Sequence, residues 1–222
     1  MRARFELEET IDLRENGEEA IFVQSKQYIA ELKAILDNLS VIGRQEEPVE
    51  LGLETGVRQI MSIFQDSAAS GGKLIFIGNG GSAAIAGHMA LDYWKNGGIP
   101  AICFNDGAQL TCLGNDYGYE AVFARPITFF ARREDTLVAI SSSGQSANIL
   151  NGVAAAKTTG CRIVTLSGFS PLNPLRSKGD LNVYTSAKEY GFVELSHEVV
   201  LHMILDLLAA DRKQNLLEVG RL

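Results

Sequence analysis

Hydrophobic residues follow two different spacings along this chain, and the spacing changes near residue 72. Up to that point apolar residues recur every three to four positions over 19–39 and again over 49–69, which predicts two helices separated by a polar break at 43–48. Beyond it, short continuous apolar runs alternate with helical segments. The runs, each typical of a strand buried on both faces, are 73–77, 100–104, 136–140, 162–166 and 181–184.

This alternation of strands and helices predicts an α/β fold, in which helices cover both faces of a parallel sheet. We therefore expect a three-layer sandwich with a five-stranded parallel sheet and an N-terminal helical hairpin. Residues 1–70 are expected to form a helical extension of the same folding unit, and residues 71–222 the domain that contains the sheet. The charged, weakly patterned residues 1–18 predict a loose start.

The charge of the chain limits its partners. Acidic residues outnumber basic ones by 27 to 20, and the resulting net charge of −7 disfavours binding to nucleic acid or to an anionic membrane. No apolar run approaches the ~18 residues of a membrane span, and the N-terminus lacks the apolar stretch of a signal peptide. The three cysteines are scattered, which predicts reduced, buried side chains, so we expect a cytoplasmic protein.

Two loops rich in glycine and serine carry the candidate chemistry. Each follows a predicted strand and opens a predicted helix: 78–82 reads Gly-Asn-Gly-Gly-Ser, and 141–146 reads Ser-Ser-Ser-Gly-Gln-Ser. Free backbone N–H groups at a helix start and serine hydroxyls both donate to anions, and ligands bind at the carboxyl ends of parallel strands. Two such loops in equivalent places favour a shared phosphate site over plain turns.

The first loop alone leaves a dinucleotide site open as another interpretation. With Ala83 in the last place it fits the pattern G-x-G-x-x-A, but a lone match of this kind is weak. A dinucleotide site also expects an acidic residue about 20 residues further on, at the end of the second strand. Asp106 lies beyond that point, so a Rossmann dehydrogenase is the least favoured function.

Taken together, the two loops resemble the sugar isomerase (SIS) domain, and more closely the bacterial phosphoheptose isomerases. His88, the segments 114–118 and 123–125, and the pair His197 and His202 add to this resemblance. It covers about residues 72–208 and includes the layout of two N-terminal helices. It implies a flavodoxin-like fold and a homotetramer with active sites at subunit interfaces. The residues that it implies for the phosphate site are Asn79, Gly80, Gly81, Ser82, Asp106, Ser141, Ser142, Ser143 and Ser146.

The resemblance also implies the acid–base groups. An aldose–ketose isomerase moves a proton between C1 and C2 through an enediol, and the resemblance places the base at Asp92 and the acid at His202. It further implies one zinc ion per active site, held by His88, Asp92, Glu194 and His202. His88 and Asp92 share a helix face. Glu194 and His202 are about 12 Å apart along a helix, so they either reach toward each other or come from different subunits, and Glu198 is a competing carboxylate.

The chain departs from the family pattern at four positions. Asp92 stands where the family has Glu, Glu194 where Gln is typical, Asn96 where Arg is usual, and Gly191 in place of an Asp. The shorter Asp92 draws the carboxylate back by roughly 1.5 Å, and a misplacement of about 1 Å can lower a rate on the order of 10²-fold. A carboxylate at Glu194 is a better zinc ligand than an amide.

The expected function is isomerisation of sedoheptulose 7-phosphate to D-glycero-D-manno-heptose 7-phosphate, which would supply heptose for a lipopolysaccharide or capsule. Two alternatives remain open. One is a non-catalytic phosphosugar-binding or scaffold protein with the same domain, of the replication-initiator-associating type. The other is an isomerase of a different sugar phosphate. The presence of both His88 and His202 disfavours the scaffold, which needs neither.

Overall fold

The computed structural model describes residues 18–44 and 48–218, with the side chains of 23–44 and 48–214. The predicted loose start therefore lies almost wholly outside the described residues. The described α-helices are α1 (Glu18–Asp37), α2 (Leu53–Ala69), α3 (Gly81–Lys95), α4 (Gly107–Tyr117), α5 (Ala124–Phe130), α6 (Ala147–Thr159) and α7 (Tyr190–Glu218). Within this part of the chain, no helix is long and apolar enough to cross a membrane.

The described strands form one mixed sheet. They are β1 (Ser40–Arg44), β2 (Pro48–Glu50), β3 (Leu74–Ile77), β4 (Ala101–Cys103), β5 (Thr136–Ser141), β6 (Arg162–Ser167) and β7 (Leu181–Tyr184), and their order is β2-β1-β7-β6-β5-β3-β4. Strands β3 to β7 are parallel, whereas β1 and β2 pair antiparallel beside β7. The five predicted parallel strands are confirmed, and two antiparallel strands enlarge the sheet.

The N-terminal part differs from the predicted helical hairpin, because β1 and β2 lie between α1 and α2. On β1, Val41 pairs with Val183 of β7, and both side chains are buried. The predicted second helix begins later than expected, at Leu53, because Val49 belongs to β2. The segment 43–48, predicted as a polar break between two helices, therefore contains the end of β1 and the start of β2, at one edge of the sheet.

Successive side chains of each central strand point to opposite faces of the sheet, so each face has its own hydrophobic core. On β3, Leu74 and Phe76 pack in the core formed with α2, α3 and α7. Ile75 and Ile77 pack in the other core, formed with α5 and α6. All four side chains are fully buried. The sheet is thus the middle layer of the predicted three-layer sandwich.

The direction of the chain across the sheet reverses at β3. From β3 the chain passes to β4 on one side and then returns to β5 on the other. In open parallel sheets, ligands bind where neighbouring connections leave in opposite directions. The loops after β3 and β5 therefore open at one place, at the carboxyl ends of two adjacent strands.

Two local predictions are wrong. The helix predicted over 119–131 is divided into a 3-10 turn and α5, which has Pro126 in its first turn, where a missing N–H breaks no helical hydrogen bond. The cysteines are not all buried: Cys161 is buried, Cys103 is partly buried, and Cys112 is exposed.

Candidate active site

The loops after β3 and β5 line a cavity of about 240 Å³, called here the phosphate cavity. Tyr190 and Glu194 close it from the start of α7. The predicted phosphate residues in its wall are Asn79, Gly80, Gly81, Ser82, Ser141, Ser142, Ser143 and Ser146. The structure thus brings both predicted loops to one cavity.

Serine hydroxyls in the phosphate cavity are available to a ligand. Ser142 is 4% exposed, and its Oγ has no hydrogen-bond partner among the described residues. Ser146 precedes α6, but its side chain makes no capping hydrogen bond. A buried hydroxyl left unpaired costs about 1–3 kcal/mol. An oxyanion in the cavity would accept from these hydroxyls and remove that cost.

The backbone around the cavity requires glycine at two positions. Gly80 and Gly144 have φ angles of 54° and 62°, in the left-handed region. A Cβ at Gly144 would also lie 2.1 Å from Oδ1 of Asn173. Because α3 begins directly after Gly80 and α6 three residues after Gly144, two helix N-termini open at the cavity, and both favour an anion.

Asn79, on the loop after β3, is hydrogen-bonded to α6, the helix that follows the loop after β5. Its Nδ2 donates to Oδ1 of Asn148 at 2.9 Å, and Nδ2 of Asn148 donates back to its Oδ1 at 2.8 Å. The hydroxyl of Tyr119 donates to the same Oδ1 of Asn79 at 3.1 Å. Neither Asn148 nor Tyr119 is among the site residues predicted from the sequence. A polar amide on the buried side of α6 was the one signal that pointed to Asn148.

Asp106 lies outside the wall of the phosphate cavity. It is exposed and is the N-cap of α4, where its Oδ1 accepts from the backbone N–H of Gln109 at 2.9 Å. This contact satisfies one of the unpaired N–H groups at the helix start. A role for Asp106 in phosphate binding therefore stays a prediction.

Three predicted acid–base and metal residues meet between α3 and α7, in what we call the histidine cluster: His88, Asp92 and His202. One ligand atom from each lies within 4.8 Å of the others. The two imidazole centroids are 5.1 Å apart, and Nε2 of His88 is 3.3 Å from Oδ2 of Asp92. Two imidazoles and a carboxylate form a donor set that zinc takes in catalytic sites. The cluster therefore fits a zinc ion that keeps one position open.

Glu198, and not the predicted Glu194, approaches the histidine cluster within this chain. Oε1 of Glu198 is 3.1 Å from Nδ1 of His88, so both ring nitrogens of His88 face carboxylates. Glu194 lies apart from the three grouped ligands. Its carboxylate packs on Gly81 instead, where an added Cβ would lie 2.4 Å from Oε2.

Three cavities lie one after another along α7, and the first two are also lined by residues of α3. Gly81 and Glu194 line both the phosphate cavity and a second cavity of about 400 Å³, which reaches His88 and Glu198. Glu198 also lines a third cavity, of about 610 Å³, together with His202. We call these three cavities together the trough, because their shared lining residues lead from the phosphate cavity to His88 and His202 of the histidine cluster.

His197 lies on α7 but belongs to the core. It is fully buried, its Nε2 is 3.2 Å from the backbone oxygen of Ser167, and its Nδ1 has no partner in the described part of the chain. Burial lowers the pKa of His197 from 6.5 to about 4, against the smaller raising effect of the Ser167 contact. At neutral pH the ring is therefore uncharged, and Nε2–H donates to the Ser167 carbonyl.

Replacing His197 with glutamine is expected to remove part of the acid sensitivity of the protein. The unfolded imidazole takes up a proton below pH 6.5 and the folded one only below about pH 4, so the unfolded state binds more protons in between. The free energy of unfolding should thus fall, by about 3 kcal/mol from this residue, as the pH drops through that window. Urea unfolding of both proteins at pH 7 and near pH 4 measures this, and equal pH dependence would contradict it.

Comparison with known proteins gives the family of the chain. The SIS domain family matches residues 27–168. The phosphoheptose isomerase of Geotalea uraniireducens is 34% identical over an alignment of 186 residues, and the match covers 81% of this chain and 96% of that protein.

Solved structures of two phosphoheptose isomerases share the fold. The one from Neisseria gonorrhoeae has a TM-score of 0.67 and 26% identity, and the match covers 86% of this chain and 96% of that one. The one from Francisella tularensis has a TM-score of 0.73 and 24% identity, with 87% and 98% covered. The chain therefore belongs to the SIS domain family and, within it, to the phosphoheptose isomerases.

Proposed function

We propose that this protein is an aldose–ketose isomerase that converts sedoheptulose 7-phosphate to D-glycero-D-manno-heptose 7-phosphate, a source of heptose for a surface polysaccharide. The trough is the observation that carries this proposal. It has an anion site at one end and acid–base groups at the other. The α7 residues Glu194 and His202, which mark its two ends, are about 12 Å apart along the helix, a span that suits an extended sugar phosphate with a long carbon chain.

The phosphate cavity would hold the end of the substrate that does not react. Its unpaired Ser142 hydroxyl and the two helix starts supply donors without a charged side chain. Binding energy gained at this end orients the sugar, so that its carbonyl carbon and the neighbouring carbon lie at the histidine cluster. This accounts for the distance between the two groups of residues.

The histidine cluster would move the proton. Asp92, with its side chain 17% exposed and held by His88, is the base that takes a proton from the carbon beside the carbonyl group. His202 is the acid that donates to the carbonyl oxygen, which gives the enediol. Asp92 then delivers the proton to the former carbonyl carbon, and the hydroxyl on the other carbon gives its proton to His202, which leaves the aldose. The same groups serve both directions of the isomerisation.

Zinc is part of the proposal, with His88, Asp92 and His202 as ligands. Bound there, the ion would polarise the substrate carbonyl group as a Lewis acid. The contact of Glu198 with Nδ1 of His88 supports this arrangement, because a carboxylate that accepts from Nδ1–H leaves Nε2 free to bind a metal. Glu194 is left without a ligand role in the single chain.

We also propose that the protein works as a homotetramer. Apolar side chains on α1, α3 and α7 are exposed, and those on α7 also line the trough. A surface of this kind is typical of a subunit interface. These side chains are Ile29, Leu91, Trp94, Leu195, Val199 and Leu207. Other copies of the chain that cover these residues would also close the trough to water.

A different sugar phosphate is the second candidate substrate, and the surroundings of Gly191 favour it. Gly191 lines the second cavity, at the position where the family resemblance expects Asp. A Cβ there would lie 3.1 Å from the hydroxyl of Tyr28, whose ring stacks on Phe192 with centroids 4.4 Å apart. The Tyr28 hydroxyl thus lies beside the position where the family resemblance expects an Asp carboxylate. This difference changes which arrangement of sugar hydroxyl groups the trough would accept.

Turnover of sedoheptulose 7-phosphate, followed by NMR, tests the proposed function. The purified protein is measured as obtained, after treatment with a chelator, and after zinc is restored. We expect an aldose phosphate to appear, with a rate that falls on chelation and recovers with zinc. Turnover of another ketose phosphate alone would select the second candidate. Phosphosugar binding without any turnover would indicate a binding protein instead of an enzyme.

A further inference from the structure

The wall of the phosphate cavity has an unusual charge for a site that binds a dianion. Among the described residues that line it there is no lysine, arginine or histidine, and Glu194 is the one charged side chain. The Glu194 carboxylate has no hydrogen bond or ion pair with any other described residue. A phosphate in the cavity would therefore meet neutral donors on one side and, on the other, a negative charge that no cationic side chain of the cavity wall neutralises.

The position of this carboxylate is fixed by its neighbour. Because Gly81 has no side chain, the Glu194 carboxylate occupies the space in which a Cβ would stand, at the start of α3. Gly81 and Glu194 are also the two residues shared by the phosphate cavity and the second cavity. A sugar chain that runs from the phosphate to the histidine cluster has to pass between them.

We propose that Glu194 is a specificity residue, which weakens the binding of free phosphate and leaves tight binding to phosphates that carry a hydroxylated chain along the trough. This rests on the proposed function, since it takes the phosphate cavity as the substrate's anion site. Like charges a few ångströms apart near a protein surface repel appreciably, and inorganic phosphate offers nothing in return. Sugar hydroxyls beside Glu194 donate to the carboxylate and offset the repulsion.

Binding of two ligands to three proteins tests this proposal. The ligands are inorganic phosphate and a heptitol 7-phosphate, which has the chain of the proposed substrate but no carbonyl group to isomerise. The proteins are the full-length wild type, Glu194→Gln and Glu198→Gln. The last is the matched control, because it removes the same charge from the same helix but lies outside the phosphate cavity. Dissociation constants come from phosphorus NMR titration.

We expect Glu194→Gln to bind inorganic phosphate about tenfold more tightly, which is about 1.4 kcal/mol, and to bind the heptitol phosphate with little change. Its preference for the sugar phosphate should therefore shrink by about the same factor. Glu198→Gln should keep the wild-type affinity for inorganic phosphate within about twofold, because its charge is farther from the cavity.

The other outcomes separate the two proposals. Equal phosphate affinity in the wild type and Glu194→Gln would overturn this inference and leave the isomerase proposal standing. An equal gain in both variants would also overturn it, because the effect would then come from net charge. If neither ligand binds to any of the three proteins, the phosphate cavity is wrongly assigned, and the proposed function fails together with the inference.

Discussion

Replacing His202 with glutamine is expected to lower kcat for sedoheptulose 7-phosphate by about 10²- to 10⁴-fold, the range that a positioned acid or base contributes. His202 belongs to the histidine cluster and has no part in the wall of the phosphate cavity. The loss should therefore appear in kcat, and the affinity for the heptitol phosphate should stay close to that of the wild type. Steady-state rates and binding titrations measure the two quantities separately.

The matched control is His197→Gln, because His197 lies on the same helix and is buried away from the trough. This variant should keep the wild-type kcat at neutral pH, where its ring is uncharged. The zinc content of His202→Gln shows whether the variant lost an acid, a ligand or both. If His202→Gln turned over at more than about a tenth of the wild-type rate, His202 would not be the acid.

Replacing Asp135 with alanine is expected to lower the free energy of unfolding by about 3 kcal/mol, because it leaves the Lys73 ammonium with the Phe130 carbonyl alone and without its carboxylate partner. Asp135 is 1% exposed, and its Oδ2 lies 2.6 Å from Nζ of Lys73. Its carboxylate also accepts from the backbone N–H groups of Lys73 and Arg132, at 2.9 and 2.8 Å. These contacts join the start of β3 to the turn before β5, at the end of the sheet away from the trough.

The expected loss of unfolding free energy depends on how far the Lys73 side chain is exposed to water. The Lys73 side chain is 23% exposed, so water can reach part of the unpaired charge, and the loss falls at the lower end of the usual range for a broken buried pair. Asp37→Ala is the control, because it breaks an exposed pair with Lys33 on α1 and should change stability by at most about 0.5 kcal/mol. Urea unfolding measures both. Equal losses in the two variants would contradict the argument.

The centre of the fold could be predicted from the sequence because its signals are local. The apolar runs that became β3, β5 and β6 are continuous and are followed by glycine or serine, whatever the rest of the chain does. The strands β1 and β2 carry no such signal. Ser40–Arg44 is too short to show a period, and it becomes a strand because β7 offers it an unpaired edge.

The residues of the candidate site also fall into two groups: those that a local sequence pattern predicts and those that it does not. The two loops and the pair His88 and Asp92 depend on short spacings, and the structure brings each of these sets together. The partners of these residues depend on the crossing of α3 over α7, which spacing does not reveal. The family resemblance implied Glu194 as a zinc ligand and left Glu198 as a competing carboxylate, and within one chain the packed helices place Glu198 beside His88 and Glu194 against Gly81.

The pairing of β1 with β7 also sets an order of events while the protein is being made. Val41 finds its partner, Val183, in a part of the chain that leaves the ribosome on the order of ten seconds later, at usual rates of synthesis. Until then β1 lacks the strand β7 with which it pairs, and its apolar side chains are exposed to other nascent chains. Contacts so distant in sequence also form slowly once both partners exist. A chain released before β7 is complete would keep the parallel strands β3 to β6 but would leave β1 without its partner β7, and it should aggregate more readily than the finished protein.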